Sequence, residues 1–154
     1  MLLAATSRHI ALPDLPATEA LAAALARLIR PGDAVLLEGE LGAGKTVFAR
    51  ALLRAAAGDA ALEVPSPTFT LVQEYDTERG PIHHFDLWRL DGPAGLDELG
   101  WDAARDGIVL VEWPDRLGAL RPADALTIAL EAGDTAEARR AKLIWADKRL
   151  EALA

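Results

Sequence analysis

Lys45 and Thr46 close the segment Gly39–Thr46, GELGAGKT, which satisfies the pattern G-x-x-x-x-G-K-[ST]. Each residue type in it suits phosphate binding. Gly39, Gly42 and Gly44 let the backbone take positive φ and come close to a phosphate without a Cβ in the way. The N–H groups of Leu41, Gly42, Ala43, Gly44, Lys45 and Thr46 can then converge on one concavity. A helix starting there adds the partial positive charge of its N-terminus. Lys45 is expected to reach the β- and γ-phosphates, and Thr46 to place its hydroxyl on Mg²⁺. Glu40 has no required task in this chemistry and is expected to point outward or toward the γ-phosphate. A glycine turn with an exposed lysine is the bland alternative. An apolar strand before the pattern and a helix after it favour the phosphate site.

Phosphate chemistry of this kind needs a second carboxylate near the metal. Two acids end apolar runs, Glu112 after IVLV and Asp86 after IHHF. Both are expected at the carboxyl edge of a sheet, where α/β folds bind ligands. One could serve the metal and the other orient water, or either could be a solvated strand-end charge or a cap. His84 could bond the loop or a phosphate, but a lone histidine is more often structural. Ser66 and Thr68, in PSPTFT, lie where a segment that senses the γ-phosphate can sit, or simply form a proline-shaped turn. Trp113 reads as packing or as a lid on the nucleotide. No His/carboxylate spacing suggests a zinc site.

These groups need a frame. Thr6–Leu12 can form a strand ended by Pro13. Asp14 or Thr18 can cap a helix from about Glu19 to Arg30, stopped by Pro31-Gly32. Ala34–Glu38, AVLLE, predicts a buried strand, and Lys45–Ala57 a helix with Phe48 and Leu52 on its apolar face and Gly58 as its stop. Pro65 and Pro67 make Val64–Thr70 an extended loop. Phe69–Tyr75 and Ile82–Leu87 predict a hairpin, 91–106 short helical turns, and Gly107–Trp113 another strand. Ala125–Glu131 and Ala141–Trp145 flank Gly133-Asp134 as a second hairpin, followed by a short helix over Asp147–Leu153. The order predicts an α/β fold, a three-layer P-loop NTPase-like domain with a mixed, centrally parallel sheet, as one domain over residues 1–154.

Composition limits the rest. The chain has 154 residues and no cysteine, which excludes a disulfide framework, a thiolate metal site and a cysteine nucleophile. A net charge of −8 makes independent nucleic-acid binding a poor expectation, although a partner could hold RNA. The N-terminus lacks the basic region of a secretory signal, and no uncharged apolar stretch reaches about 18 residues. A cytoplasmic protein without a membrane is the expectation. The chain also has no asparagine, so an Asn-Lys-x-Asp guanine-reading motif is absent and ATP is the expected nucleotide. Arg116, Arg121, Arg139 and Arg140 could form a lid.

GELGAGKT, VPSPTFTLVQEY, HHFDLWRL and LVEWPDR, in this order and spacing, resemble the bacterial TsaE (YjeE) family. The resemblance runs from about Leu12 to Arg116 and includes LPD…AT at Leu12–Thr18. Trp88 stands where the family usually has Tyr. The resemblance implies an ATPase of tRNA threonylcarbamoyladenosine biosynthesis, weak alone and working with TsaB and TsaD, that meets tRNA only through the complex. It implies ATP and Mg²⁺ as cofactors, Lys45 on phosphate, Thr46 and Glu112 on Mg²⁺, and Asp86, in a His-x-Asp motif, as a catalytic or metal-proximal acid. It also implies a switch-like loop at Ser66–Thr70, with Trp113 beside Glu112. Leu15, in the Leu12–Thr18 segment, would lie by the adenine, and Val47 would follow the loop among the nucleotide contacts. A small-molecule kinase and a nucleotide-gated binding protein with little turnover remain alternatives.

Overall fold

The computed structural model describes residues 6–67 and 69–153; Thr68, expected in a switch-like loop, lies outside them. Seven strands form one sheet in the order β1-β7-β6-β2-β5-β4-β3. They are β1 (Thr6–Leu12), β2 (Ala34–Glu38), β3 (Val72–Thr77), β4 (Gly80–Asp86), β5 (Ile108–Glu112), β6 (Leu126–Ala132) and β7 (Arg139–Trp145). β2 lies between β5 and β6, parallel to both, and β4 runs parallel to β5. The flanking pairs β1/β7, β6/β7 and β3/β4 are antiparallel. The parallel centre explains the unbroken apolar runs: every residue of β5, and Ala34 through Leu37 of β2, is buried.

Two long helices cover one face. α1 (Leu15–Ala26) begins where the Asp14 carboxylate accepts the Ala17 N–H at 2.9 Å. It ends four residues before the expected Arg30. The Leu28 and Ile29 N–H groups both turn back to the Leu25 carbonyl, at 2.9 and 3.1 Å, which tucks Ile29 into the core. α2 (Lys45–Ala57) runs from Gly44 to Gly58, both in the left-handed region at φ 101° and 65°. Its apolar stripe of Phe48, Ala49, Leu52 and Leu53 is fully buried against Val35, Leu37, Leu110 and Ile128. Burying each large side chain there contributes about 1.5–3 kcal/mol.

The opposite face has a thinner cover. Short 3-10 turns at Pro93–Gly95, Asp97–Leu99 and Pro114–Leu120, with α3 (Trp101–Ala104), bring Leu96, Trp101, Ala104 and Leu117 onto Leu36, Phe85, Val109 and Val111. The Phe85 and Trp101 rings meet edge-on at 5.2 Å. Three layers result, as expected.

Other boundaries shift for local reasons. β3 begins at Val72, not Phe69, because Leu71 sits at φ 69° and its N–H closes a turn onto the Pro67 carbonyl at 2.6 Å. β5 stops at Glu112 because Trp113 also turns left-handed, at φ 61°. The C-terminal helix is a 3-10 turn over Lys148–Ala152, capped by Asp147. Arg149 in that turn pairs with both oxygens of Asp33, at 2.7 and 3.0 Å, and with Asp147 at 2.8 Å. This pins the C-terminal end to the entry of β2.

Candidate functional site

The parallel strands β2, β5 and β4 all point the same way, so their last residues share one edge. Register places Glu112 beside Leu37 of β2 and beside Asp86 of β4. Glu112 and Asp86 are both buried there, at 2% and 5% exposure. The loop 39–44 leaves β2 at the same edge and turns into α2.

Within that loop Gly39, Gly42 and Gly44 all take positive φ. Two of them are also hemmed in. A Cβ on Gly39 would lie 2.7 Å from the Leu130 carbonyl oxygen, and one on Gly44 would lie 2.9 Å from Arg139 Nε. Among the described residues, no side chain caps the start of α2. Its first N–H groups, at Lys45, Thr46 and Val47, therefore have no partner from the helix itself or from a cap. Leu41, 81% exposed, and Glu40 turn their side chains to solvent, while Ala43 is buried. Only the loop backbone is thus offered inward, and Glu40 takes the outward course.

Lys45 is buried and donates from Nζ to the Gly39 carbonyl and, at 3.2 Å, to the Glu40 carbonyl. The ammonium also lies 3.6 Å from the centre of the Trp113 ring. Burial pulls its pKa below the ordinary lysine value, opposed by the charges of Glu112, Asp86 and Asp115. The Thr46 hydroxyl donates to Glu112 Oε1 at 2.9 Å, joining residues 66 apart in the chain. Glu112 Oε2 meets Nε2 of the fully buried His84 at 2.7 Å. Asp86 Oδ1 accepts the Trp88 N–H at 3.1 Å, and the Asp86 N–H donates to the Leu71 carbonyl at 2.9 Å. The loop containing Ser66 and Thr70 is therefore hooked to the acid at the end of β4. Ser66 and Thr70 are exposed, and Thr70 accepts from Gln73 at 3.2 Å.

On the outer flank of the loop, a groove of about 290 Å³ runs between α1, α2 and the β6–β7 hairpin. Leu15, Val47 and Leu130 are among its apolar lining residues, and Arg50, Arg54 and Arg139 among its charged ones. The structure thus brings Leu15 and Val47 together, from different helices. The four arginines do not gather into a lid. Arg121 pairs with Glu38 at the end of β2, Arg116 with its neighbour Asp115, and Arg140 with Glu131 on the surface. Arg139 instead donates from Nε to the Ala43 carbonyl at 2.9 Å, bracing the loop from β7. Sequence reading missed that brace and the His84–Glu112 bond, because neither partner is near the other in the chain. The period-two spacing of His84 and Asp86 on one strand was the available signal for the second. Among the described residues, no cluster of three His or acidic side chains is placed to hold a metal, and no helix is long and apolar enough to cross a membrane.

A family model described as threonylcarbamoyl adenosine biosynthesis protein TsaE matches residues 12–141, which contain the loop and both acids. The chain belongs to the TsaE family. Relatives named tRNA threonylcarbamoyladenosine biosynthesis protein TsaE include one from Rickettsia felis, 40% identical over 118 residues, 76% of this chain and 68% of the relative. Another, from Bacillus subtilis, is 37% identical over 121 residues, 76% of this chain and 73% of the relative. The crystal structure of B. subtilis YdiB superposes with a TM-score of 0.73 at 30% identity, covering 97% of this chain and 93% of that one. For this TsaE-family chain the α/β, three-layer, P-loop NTPase-like architecture therefore extends over nearly its whole length.

Proposed function

We propose that this chain hydrolyses Mg²⁺-bound ATP to support formation of threonylcarbamoyladenosine in tRNA, as a subunit working with TsaB and TsaD. The observation that carries the reading is the Thr46–Glu112 contact at 2.9 Å. It sets a hydroxyl at the start of the phosphate loop against a carboxylate from the neighbouring strand end. Two hard oxygen donors at one point suit Mg²⁺, which takes few protein ligands and completes its shell with phosphate and water. Thr46 and Glu112 would hold that ion. When bound, Mg²⁺ neutralises charge shared between the β- and γ-phosphates.

The remaining tasks fall to the chain itself. The N–H groups of residues 41–47 and the N-terminus of α2 bind the phosphates. Lys45 exchanges its bonds to the Gly39 and Glu40 carbonyls for phosphate oxygens. Leu15 and Val47 receive the adenine in the groove between α1 and α2. Asp86 orients the attacking water at the edge it shares with Glu112. Its backbone bond to Leu71 couples it to the segment 64–71, so a partner that moves this segment repositions the acid. Low turnover alone and higher turnover in the complex follow. A net charge of −8 leaves the tRNA to the partners.

The test is phosphate release from Mg·ATP by the purified chain, alone and with TsaB and TsaD. Stimulation by the pair supports the proposal. Tight ATP binding with no release, even with both partners, replaces it with a nucleotide-gated binding protein. Release that depends on an added small acceptor replaces it with a kinase.

A further inference from the structure

His84 sits deeper than any chemistry assigned so far requires. It is 0% exposed, on β4 two residues before Asp86, and register sets it beside Leu110 while Asp86 stands beside Glu112. His84 is therefore the diagonal neighbour of Glu112 on the same sheet face, the separation that long side chains bridge. Phe85 between them faces the other core. Among the described residues the ring makes one polar contact, Nε2 to Glu112 Oε2 at 2.7 Å. Among the described residues, Nδ1 has no hydrogen-bond partner.

A histidine serving only as core filler would be poorly chosen here. Burying an imidazole with one nitrogen unsatisfied is costly, and an apolar side chain would fill the space without that cost. What the ring alone supplies is a donor aimed at one oxygen of Glu112. With the carboxylate accepting, Nε2 carries the hydrogen that the ring donates. The other oxygen, Oε1, is then left to Thr46. Lys45 is close enough for Glu112 to be the largest charge acting on it. A carboxylate free to rotate could turn toward that ammonium.

We propose that His84 is a positioning residue: its Nε2–H holds Oε2 of Glu112 so that Oε1 stays directed at Thr46, where the metal of the nucleotide would bind. The inference rests on the Mg·ATP reading above. Histidines and carboxylates that orient a ligand in this way change metal affinity by about 10–100-fold when removed.

Long-range nitrogen–proton NMR of the wild-type chain reads the tautomer of His84 directly. A proton on Nε2 is expected, and a ring protonated on Nδ1 alone, with no Nε2 hydrogen to donate, overturns the proposal. Next, binding of a fluorescent ATP analogue is titrated in Mg²⁺ and in EDTA, and Mn²⁺ bound with nucleotide is counted by EPR. Circular dichroism establishes that each variant is folded. His84→Gln keeps a donor near the Nε2 position, whereas His84→Asn and His84→Leu do not. Gln is expected to keep the wild-type gain in affinity on adding Mg²⁺, and Asn and Leu to lose about tenfold or more of it. Nucleotide affinity in EDTA should be unchanged in all three. A wild-type gain preserved in folded Asn or Leu variants overturns the positioning role, as does an equal loss in Gln. If the wild type itself gains nothing from Mg²⁺, the Mg·ATP reading fails and the proposal fails with it. Should neither Asn nor Leu fold, the tautomer and the Gln variant decide.

Discussion

Residues 39–46 carry their glycines and turn within one segment, braced from outside by Arg139 at the Ala43 carbonyl, whereas Asp86 and Glu112 stand side by side only because β4 and β5 run parallel in register. The loop needs glycines at positive φ, a short turn and a helix behind it, all within one segment. The acids need two strands from distant parts of the chain to end level with each other and with β2. A local device fails when one residue's conformation is blocked. An assembled one fails when a side chain loses its function, even while the backbone stands.

Variants can sharpen that contrast. The largest loss is expected for Lys45→Ala. Removing the one cation in the loop should lower ATP turnover by about 10²-fold or more, as for loss of a donor to developing charge. Circular dichroism should be unchanged. Wild-type turnover in a folded Lys45→Ala protein would break the assignment of the loop. Next is Asp86→Asn, which keeps an oxygen for the Trp88 N–H but removes the charge. Turnover in the presence of the partners should fall by about 10²-fold. Nucleotide affinity should change little, because the acid belongs to the assembled half of the site.

Gly39→Ala attacks the local half through the backbone. Its Cβ would lie 2.7 Å from the Leu130 carbonyl oxygen, at a φ of 149°. A cost of about 1–3 kcal/mol in denaturant unfolding is expected, with nucleotide binding lost as the loop shifts. The smallest effect is reserved for Asp147→Asn, a control far from both halves. It should cost about 1–2 kcal/mol by weakening the contact to Arg149 and leave turnover alone. Arg149's hydrogen bond holds the Asp147 carboxyl below its ordinary range, against burial. That contribution is complete above the unfolded-state pKa and lost as pH falls through the folded one. The stability gap between wild type and variant should therefore close below about pH 4, read from melts across pH.

The same contrast separates what could be read in the sequence from what could not. β2, the loop and α2 were all legible with their boundaries, because an apolar run, spaced glycines and a helical stripe are local signals. The two acids were legible as strand ends, but their pairing was not, since register is a property of the sheet. The start of β3 was misjudged because Leu71 adopts a left-handed conformation that residue type disfavours. A local turn onto the Pro67 carbonyl and a tertiary bond from the Asp86 N–H hold it there. Arg139 looked like one of four equal arginines until β7 carried it to the Ala43 carbonyl.

The position of β2 in the sheet also bears on how the protein is made. Its two neighbours are β5, beginning at Ile108, and β6, beginning at Leu126, so nothing translated earlier can pair with it. At about 5–20 residues per second of synthesis, β2 waits seconds for a partner. During that wait the apolar stripe of α2 has no sheet to cover it. The loop that leaves β2 is thus made well before the two strands that flank β2, and its frame closes only once β5 and β6 have followed.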